Sequence, residues 1–239
     1  MGKFRKGAAW LLRGGAVFVG CLILLDNVPT PQGAEAEHIL AMSEVSVIDG
    51  DTLEIDDKIV SISGIDAPEL GQLCRNRQKA YRCGLEAALS LRSLLSTYRS
   101  IVCSDVPGRP EAEMSCSVGD RDLGEMLLRR GYAVAGSEAP APYRSAEQQA
   151  RKSGLGIWRG EFVAPASWRE GERLPEIEGE PVQNCDIKGR ITAEGRKTYV
   201  VPTDPDYEDI EIDPDQGERL FCSDDEAELH GWRRATKRR

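Results

Sequence analysis

The sequence predicts an α+β fold in which short strands come first and helices follow. Between residues 44 and 66, β-forming residues surround the tight-turn sequence Asp49-Gly50-Asp51-Thr52, which is typical of short neighbouring strands. From residue 84 to 98, apolar residues recur at helical spacing. With 239 residues, the chain is long enough for one domain of ordinary size and a small second one.

The second and third helices are predicted from their end signals. Asp120, Arg121 and Asp122 can cap a helix that ends at Gly131, and a third helix stops at Gly154. The other predicted elements, in chain order, are a lead-in at 37–43, a strand pair at 44–66, a polar loop at 70–77, a helix at 84–98, strands around 101–103 and 114–118, β segments at 198–201 and 210–212, and a helix that begins after Ser223.

The composition divides the chain into four parts. A stretch at 170–183 is rich in Glu, Gly and Pro without periodicity and is predicted to be a linker. It separates a domain at 37–169 from a small unit at 184–236, whose length is too short for a secure core without a staple.

The first 36 residues have the layout of a secretory signal peptide. Basic residues precede an apolar run from Gly14 to Leu25, and Ala34-Glu35-Ala36 supplies a small-residue cleavage pattern. An uncleaved anchor that begins near Ala8 is the alternative. The chain is therefore expected to be exported, either to the periplasm or outside the cell, or held at the membrane by this segment.

Charge argues against a strong grip on nucleic acid. The chain carries a formal charge of −9, and the first 36 residues contain four basic and two acidic residues, so the remainder carries −11. Non-specific affinity for nucleic acid comes from Lys and Arg that neutralise phosphates. Nucleic-acid binding is expected to be weak, and no strong basic patch is predicted.

Six cysteines follow the predicted signal segment, an even number that favours disulfides in an oxidising compartment. Six cysteines allow 15 pairings, and the sequential set is the one predicted: Cys74–Cys83, Cys103–Cys116 and Cys185–Cys222. A zinc site would need four ligands, whereas the C-terminal unit offers three, Cys185, Cys222 and His230. No zinc is expected.

Two predicted turns place carboxylates at the ends of two short strands. Asp49-Gly50-Asp51-Thr52 is the first, and Asp66-Ala67-Pro68-Glu69 is the second. If the strands are neighbours, the carboxylates can converge on one hard cation such as Ca²⁺. The alternative is two polar hairpin turns on a solvated sheet.

The combination of Val47–Leu53 with Gly64–Glu69 resembles the staphylococcal-nuclease (thermonuclease-like) family. The order of elements from Val45 to about Trp168 is similar, as is the closing pattern Gly156-Ile157-Trp158, Phe162, Pro165 and Trp168-Arg169. The resemblance implies a five-stranded OB-fold β-barrel with three helices. It also implies Ca²⁺-dependent hydrolysis of phosphodiester bonds in DNA and RNA.

The resemblance assigns roles to the two acidic turns. Asp51, Asp66 and the carbonyl of Ala67 match the family's Ca²⁺ ligands, and Glu69 matches the glutamate that positions or deprotonates the attacking water. Asp49 matches a supporting acidic position, and Thr52 completes that turn.

The sequence departs from the family where cations are needed. The first phosphate-binding arginine of the family is replaced by Ser61, which lacks the charged, bidentate fork. Arg109 lies about two residues before the second arginine position, and it either reaches the site or is an ordinary turn residue. The tyrosines of the family's stacking platform are replaced by Ser137, Glu138 and Ala139.

Two functions remain open. The first is an exported Ca²⁺-dependent nuclease of weak activity, in which Glu69 works with Arg109 and a substituted cation such as Arg75 or Arg77. The second is a non-catalytic homologue that serves as a binding or accessory module in the cell envelope, for example in exopolysaccharide production. Position 61 is the sequence feature that discriminates between them.

Overall fold

The computed structural model describes residues 37–110, 112–175 and 185–235. The predicted signal or anchor segment at 1–36 and most of the predicted linker lie outside these ranges. The division into domains at 37–169 and 184–236 therefore stays a prediction. In the described ranges, no helix has the length and apolar character that a bilayer crossing requires.

The first part of the structure combines eleven strands with four helices. In chain order these are β1 (Glu37–Ala41), β2 (Val45–Val47), β3 (Thr52–Ile55), β4 (Lys58–Ile62), β5 (Ile65–Asp66), β6 (Cys74–Asn76), β7 (Lys79–Tyr81), α1 (Cys83–Leu95), β8 (Ser100–Asp105), β9 (Glu113–Val118), β10 (Arg121–Asp122), α2 (Leu123–Arg130), β11 (Val134–Ala135), α3 (Ala141–Ser153) and α4 (Pro165–Arg169). The predicted α+β class is confirmed.

The main sheet has the strand order β1-β8-β9-β4-β3-β2, and β10 pairs with β9. Five of its strands, β2, β3, β4, β8 and β9, match the number predicted for the barrel. The pairing of β4 with β9 is parallel and places Ser61 opposite Glu113, whereas the other pairings in this sheet are antiparallel. The parallel pair therefore joins β2, β3 and β4 to β8 and β9, which are distant in sequence.

Three short segments differ from the prediction. Residues 37–43 were predicted as a lead-in, but β1 pairs along β8 because the edge of β8 offers unpaired backbone groups. The stretch at 44–66 contains four short strands rather than two. The predicted loop at 70–77 ends in a hairpin of β6 and β7, whose turn holds Arg77 and Gln78 at positive φ.

The helices begin and end close to the predicted positions. Asp122 caps α2 by accepting a hydrogen bond from the Glu125 N–H at 2.7 Å, and Gly131 ends it in the left-handed conformation. The predicted third helix, α3, also ends at a left-handed glycine, Gly154. The helices and the main sheet share a core of fully buried side chains. The strands contribute Leu53, Ile62 and Ile101, and the helices contribute Leu91, Leu123, Leu127 and Leu128.

All three predicted disulfide pairs are joined. Cys74–Cys83 closes the loop that contains β6 and β7, and Cys103–Cys116 crosses the β8–β9 hairpin at directly paired positions. Cys185–Cys222 joins the start of the C-terminal unit to the end of one of its strands. Each bridge can contribute about 2–4 kcal/mol by restricting the unfolded chain.

The C-terminal unit has its own four-stranded sheet and one helix. They are β12 (Ile187–Ile191), β13 (Lys197–Val200), β14 (Arg219–Phe221), α5 (Asp224–Leu229) and β15 (Arg233–Arg234), in the sheet order β14-β12-β13-β15. Ser223 caps α5 as predicted, because its Oγ accepts from the Glu226 N–H at 3.1 Å. Tyr199, Phe221 and Trp232 are the buried aromatic side chains of this small core.

The prediction of one strand in this unit is wrong. Residues 210–212 form no strand. The reason is that the carbonyl oxygens of Tyr207 and Ile210 accept hydrogen bonds from Lys188 Nζ at 2.9 and 2.8 Å. A partly buried ammonium group therefore satisfies backbone acceptors that would otherwise need a neighbouring strand.

A buried ion pair joins the C-terminal unit to the barrel. Arg82, at the start of α1, lies 2.7 Å from Glu226 on α5, with exposed side-chain fractions of 13% and 8%. The same carboxylate accepts from the Cys222 N–H at 2.8 Å, and Arg219 lies 3.8 Å away. Leu229 also packs into the main core.

Replacing Arg82 should destabilise the protein through this contact. In Arg82→Gln, Glu226 stays buried without its main counter-charge, so the free energy of unfolding should fall by about 3 kcal/mol. Arg219, which stays close to Glu226, keeps the loss at the lower end of the usual range. Urea unfolding with the disulfides intact measures it. The matched control is Arg129→Gln, which breaks an exposed pair with Glu125 and should cost below about 1 kcal/mol. Equal losses would contradict the assigned role.

Acid should weaken the same contact. Burial opposes ionisation of Glu226, but hydrogen bonds from Arg82 and from the Cys222 N–H outweigh burial and lower its pKa below the ordinary value of 4.5. The stabilisation is therefore present above pH 4.5 and is lost as the pH falls through the lower folded-state pKa. Urea unfolding between pH 7 and pH 3 should show a shallower acid decline for Glu226→Gln than for the parent. Parallel declines would contradict this assignment.

Candidate functional site

Two acidic turns lie against each other in the barrel. The turn at 49–51 joins β2 to β3, and the segment Ala67–Glu69 follows β5. Asp51 Oδ2 accepts a hydrogen bond from the Ala67 N–H at 2.6 Å, which links the two turns directly. The structure therefore brings the two turns together, with the Asp51 carboxylate bound to the backbone of the second turn.

Local hydrogen bonds shape each turn. The Asp51 N–H donates to Asp49 Oδ1 at 3.1 Å, and Thr52 Oγ1 donates to Asp51 Oδ1 at 3.1 Å. The Ile62 N–H donates to the Asp51 carbonyl at 2.8 Å, so the first turn is hydrogen-bonded to β4. The second turn is held by β5, in which Asp66 pairs with Val134 of β11.

The Asp51 carboxyl lies in an environment that disfavours its charge. Burial and the neighbouring Asp49 carboxylate raise the pKa of Asp51 to about 8, although the hydrogen bond from the Ala67 N–H works in the opposite direction. The charges of Asp49 and Asp66 therefore both disfavour ionisation of Asp51.

Arg169, the last residue of α4, is the positive partner of the second acidic turn. Its Nη1 lies 2.8 Å from Asp66 Oδ1 and 2.6 Å from Glu69 Oε1, and its Nη2 lies 3.1 Å from Asp66 Oδ2. These hydrogen bonds to Asp66 and Glu69 raise the pKa of Arg169. In the sequence, Arg169 belongs to the closing pattern and has no predicted role. About 100 residues separate it from its partners, so only the folded chain shows the contact.

The predicted Ca²⁺ ligands do not fit the ion in this arrangement. Both carboxylate oxygens of Asp66 contact Arg169, and both oxygens of Asp51 accept hydrogen bonds. Throughout 37–110, 112–175 and 185–235, His, Cys, Asp and Glu side chains do not gather in threes that could hold a metal ion. In the C-terminal unit, Cys185 and Cys222 are bonded to each other and offer no thiolate.

Ser61 and the arginines considered as phosphate-binding residues lie outside the contact between Arg169 and the carboxylates. Ser61 is exposed on β4, opposite Thr52. The Arg109 guanidinium lies 2.6 Å from Glu138 and 3.7 Å from Glu113, which favours the interpretation of Arg109 as a turn residue. Arg75 is buried against Glu161, and Arg77 is exposed in the β6–β7 turn.

The side chain of Tyr143 is part of the packed structure, and its ring is not open for a nucleic-acid base to stack on. Its side chain is buried beside Gly124, and its hydroxyl donates to Asp122 Oδ1 at 2.6 Å. Tyr143 lies on α3, and its hydrogen bond therefore fixes the aspartate that caps α2. Burial, followed by the hydrogen bond to Asp122, raises the pKa of the Tyr143 hydroxyl.

The fold and the paired acidic turns define an OB-fold protein of the nuclease-like class. Residues 59–160 match the family described as staphylococcal nuclease homologue. The chain is also 36% identical over 163 residues to the succinoglycan biosynthesis protein ExoI of Rhizobium meliloti (strain 1021), across 66% of this chain and 81% of that protein. The chain belongs to the staphylococcal nuclease homologue family.

The approach of the two turns should depend on Gly50. A Cβ added there would lie 2.7 Å from the Cβ atoms of Ala67 and Ala87, whereas a Cβ at Gly71 would meet nothing within 4 Å. Gly50→Ala should therefore lower the free energy of unfolding by about 1–3 kcal/mol through overpacking. Gly71→Ala, in the loop after Glu69, is the matched control and should have little effect. Urea unfolding compares the two, and a tolerated Gly50→Ala would show that the turns are not in close contact.

Proposed function

We propose that this chain is an exported, non-catalytic member of its family that acts as an accessory module in the production of an envelope polysaccharide. The observation that carries the proposal is the loss of the basic half of the site. Ser61 replaces one phosphate-binding arginine, and Arg109 is engaged by Glu138 and Glu113. Removing one preorganised transition-state donor costs about 10²–10³ in rate, so nuclease turnover is expected to be weak or absent.

Charge and relationship support this proposal. A formal charge of −9 opposes binding to a polyanion. The similar protein from Rhizobium meliloti carries a name that places it in succinoglycan biosynthesis, and 81% of its length is covered by the match. Three joined disulfides are consistent with an oxidising compartment outside the cytoplasm.

A Ca²⁺-dependent nuclease of low activity is the second candidate. It is favoured by the retention of Asp49, Asp51, Asp66 and Glu69 in two adjoining turns. In that case Asp51, Asp66 and the carbonyl of Ala67 would be the ligands, and Arg169 would first have to leave Asp66. The metal would then polarise the phosphoryl group while Glu69 positions water.

A nuclease assay separates the two candidates. The full chain, produced by export so that its disulfides form, is incubated with denatured DNA or RNA in Ca²⁺ or in chelator. We expect no chelator-sensitive cleavage by the parent and none by Glu69→Gln. Cleavage by the parent that disappears in Glu69→Gln would establish the second candidate instead.

The cellular half of the test measures exopolysaccharide. In the organism that encodes the chain, deletion of the gene should lower the yield of an envelope polysaccharide. The parent and Glu69→Gln should restore that yield equally, because the accessory role needs no water activation. Restoration by the parent alone, with Glu69→Gln present at the same level, would contradict a non-catalytic role.

A further inference from the structure

The cation that neutralises the second acidic turn belongs to the chain itself. Arg169 makes three hydrogen bonds of 2.6 to 3.1 Å, two to the oxygens of Asp66 and one to Glu69. Two parallel N–H···O bonds match the planar fork of a guanidinium, which is the strongest arrangement that arginine makes with carboxylates. The contact therefore has the form of a specific ion pair rather than a chance approach of surface charges.

The position of Arg169 is built into the fold. Gln72 is completely buried, and its Nε2 donates to the Val163 carbonyl at 2.7 Å while its N–H donates to the Glu69 carbonyl at 2.7 Å. Through its side chain and its backbone N–H, this one residue ties the loop of Glu69 to the segment that leads into α4. Pro165 begins α4 and is buried. The backbone that carries Arg169 is therefore fixed relative to the carboxylates that it contacts.

The same oxygens cannot serve a guanidinium and a divalent ion together. Ca²⁺ needs six to eight oxygen ligands at 2.3–2.6 Å, and Asp66 is among the ligands that the family resemblance assigns. Arg169 contacts both oxygens of Asp66. Its side chain is also 48% exposed, against 23% for Asp66 and 27% for Glu69, so solvent and ions have access to the pair.

We propose that Arg169 is the resident cation of this site and takes the place of a divalent metal. In the parent protein, the guanidinium neutralises Asp66 and Glu69 and excludes Ca²⁺. Removing the guanidinium should expose a Ca²⁺ site on the same carboxylates. This inference concerns cation binding and does not rest on the proposed accessory role. It is incompatible with the second candidate, because a Ca²⁺-dependent nuclease would need the parent to bind the ion.

Calcium titration of the full, disulfide-bonded chain tests the proposal. Arg169→Gln should bind Ca²⁺ at least about tenfold more tightly than the parent by isothermal titration calorimetry. Its melting temperature should rise by about 3–6 °C when free Ca²⁺ is ten times Kd. The parent should show almost no shift at the same concentration. Adding Asp66→Asn to Arg169→Gln should abolish the gain, because it removes a charged ligand.

Arg173→Gln is the matched control. Arg173 lies in the segment after α4, stacks on Trp168 at 4.1 Å and donates to the carbonyls of Trp168 and Glu172. It changes the net charge by the same amount, so it should behave like the parent. An equal gain in Arg173→Gln would attribute the effect to net charge and overturn the proposal.

Two further outcomes would overturn it. Calcium binding by the parent that is as tight as binding by Arg169→Gln would show that the guanidinium does not exclude the ion. A folded Arg169→Gln that gains no calcium binding would show that Arg169 is only an ion-pair partner.

If Arg169→Gln does not fold, Arg169→Lys keeps the charge but cannot hold both oxygens of Asp66. It should bind Ca²⁺ at least about threefold more tightly than the parent, and unchanged binding would contradict the proposal.

Discussion

Carboxylates that lie close together in a partly buried site repel one another, and a folded chain must supply hydrogen bonds or a cation to hold them there. Here the Ala67 N–H binds Asp51, and Arg169 binds Asp66 and Glu69. Gly50 allows the two turns to approach because it has no Cβ. Helix α4, about 100 residues further along the chain, is therefore needed to neutralise the second acidic turn.

The C-terminal unit depends on the same principle in a more buried setting. Glu226 is held by Arg82, by the Cys222 N–H and more distantly by Arg219. Arg82 directly precedes Cys83, which is bonded to Cys74. One ion pair thus connects the C-terminal helix α5 with the end of the loop that follows the second acidic turn.

Short-range patterns predicted much of the fold. The helices α2 and α3 end at Gly131 and Gly154 because glycine readily adopts the left-handed backbone that ends each helix. The three disulfide pairs follow sequential order because each joins residues within a hairpin, a closed loop or a small unit. The strand predicted at 210–212 is absent because Lys188, more than twenty residues away, takes the carbonyl of Ile210. Such a contact leaves no periodic signal.

The sequence by itself determined the family, the α+β class, the two acidic turns and the substitution at Ser61, because each of these is recorded by neighbouring residues. Only the tertiary structure decided how the charges are matched. It directed Arg109 to Glu138, Arg75 to Glu161 and Arg169 to Asp66. Long flexible cations can reach many partners from a given position in the chain, so their pairing is settled by where the folded backbone places them.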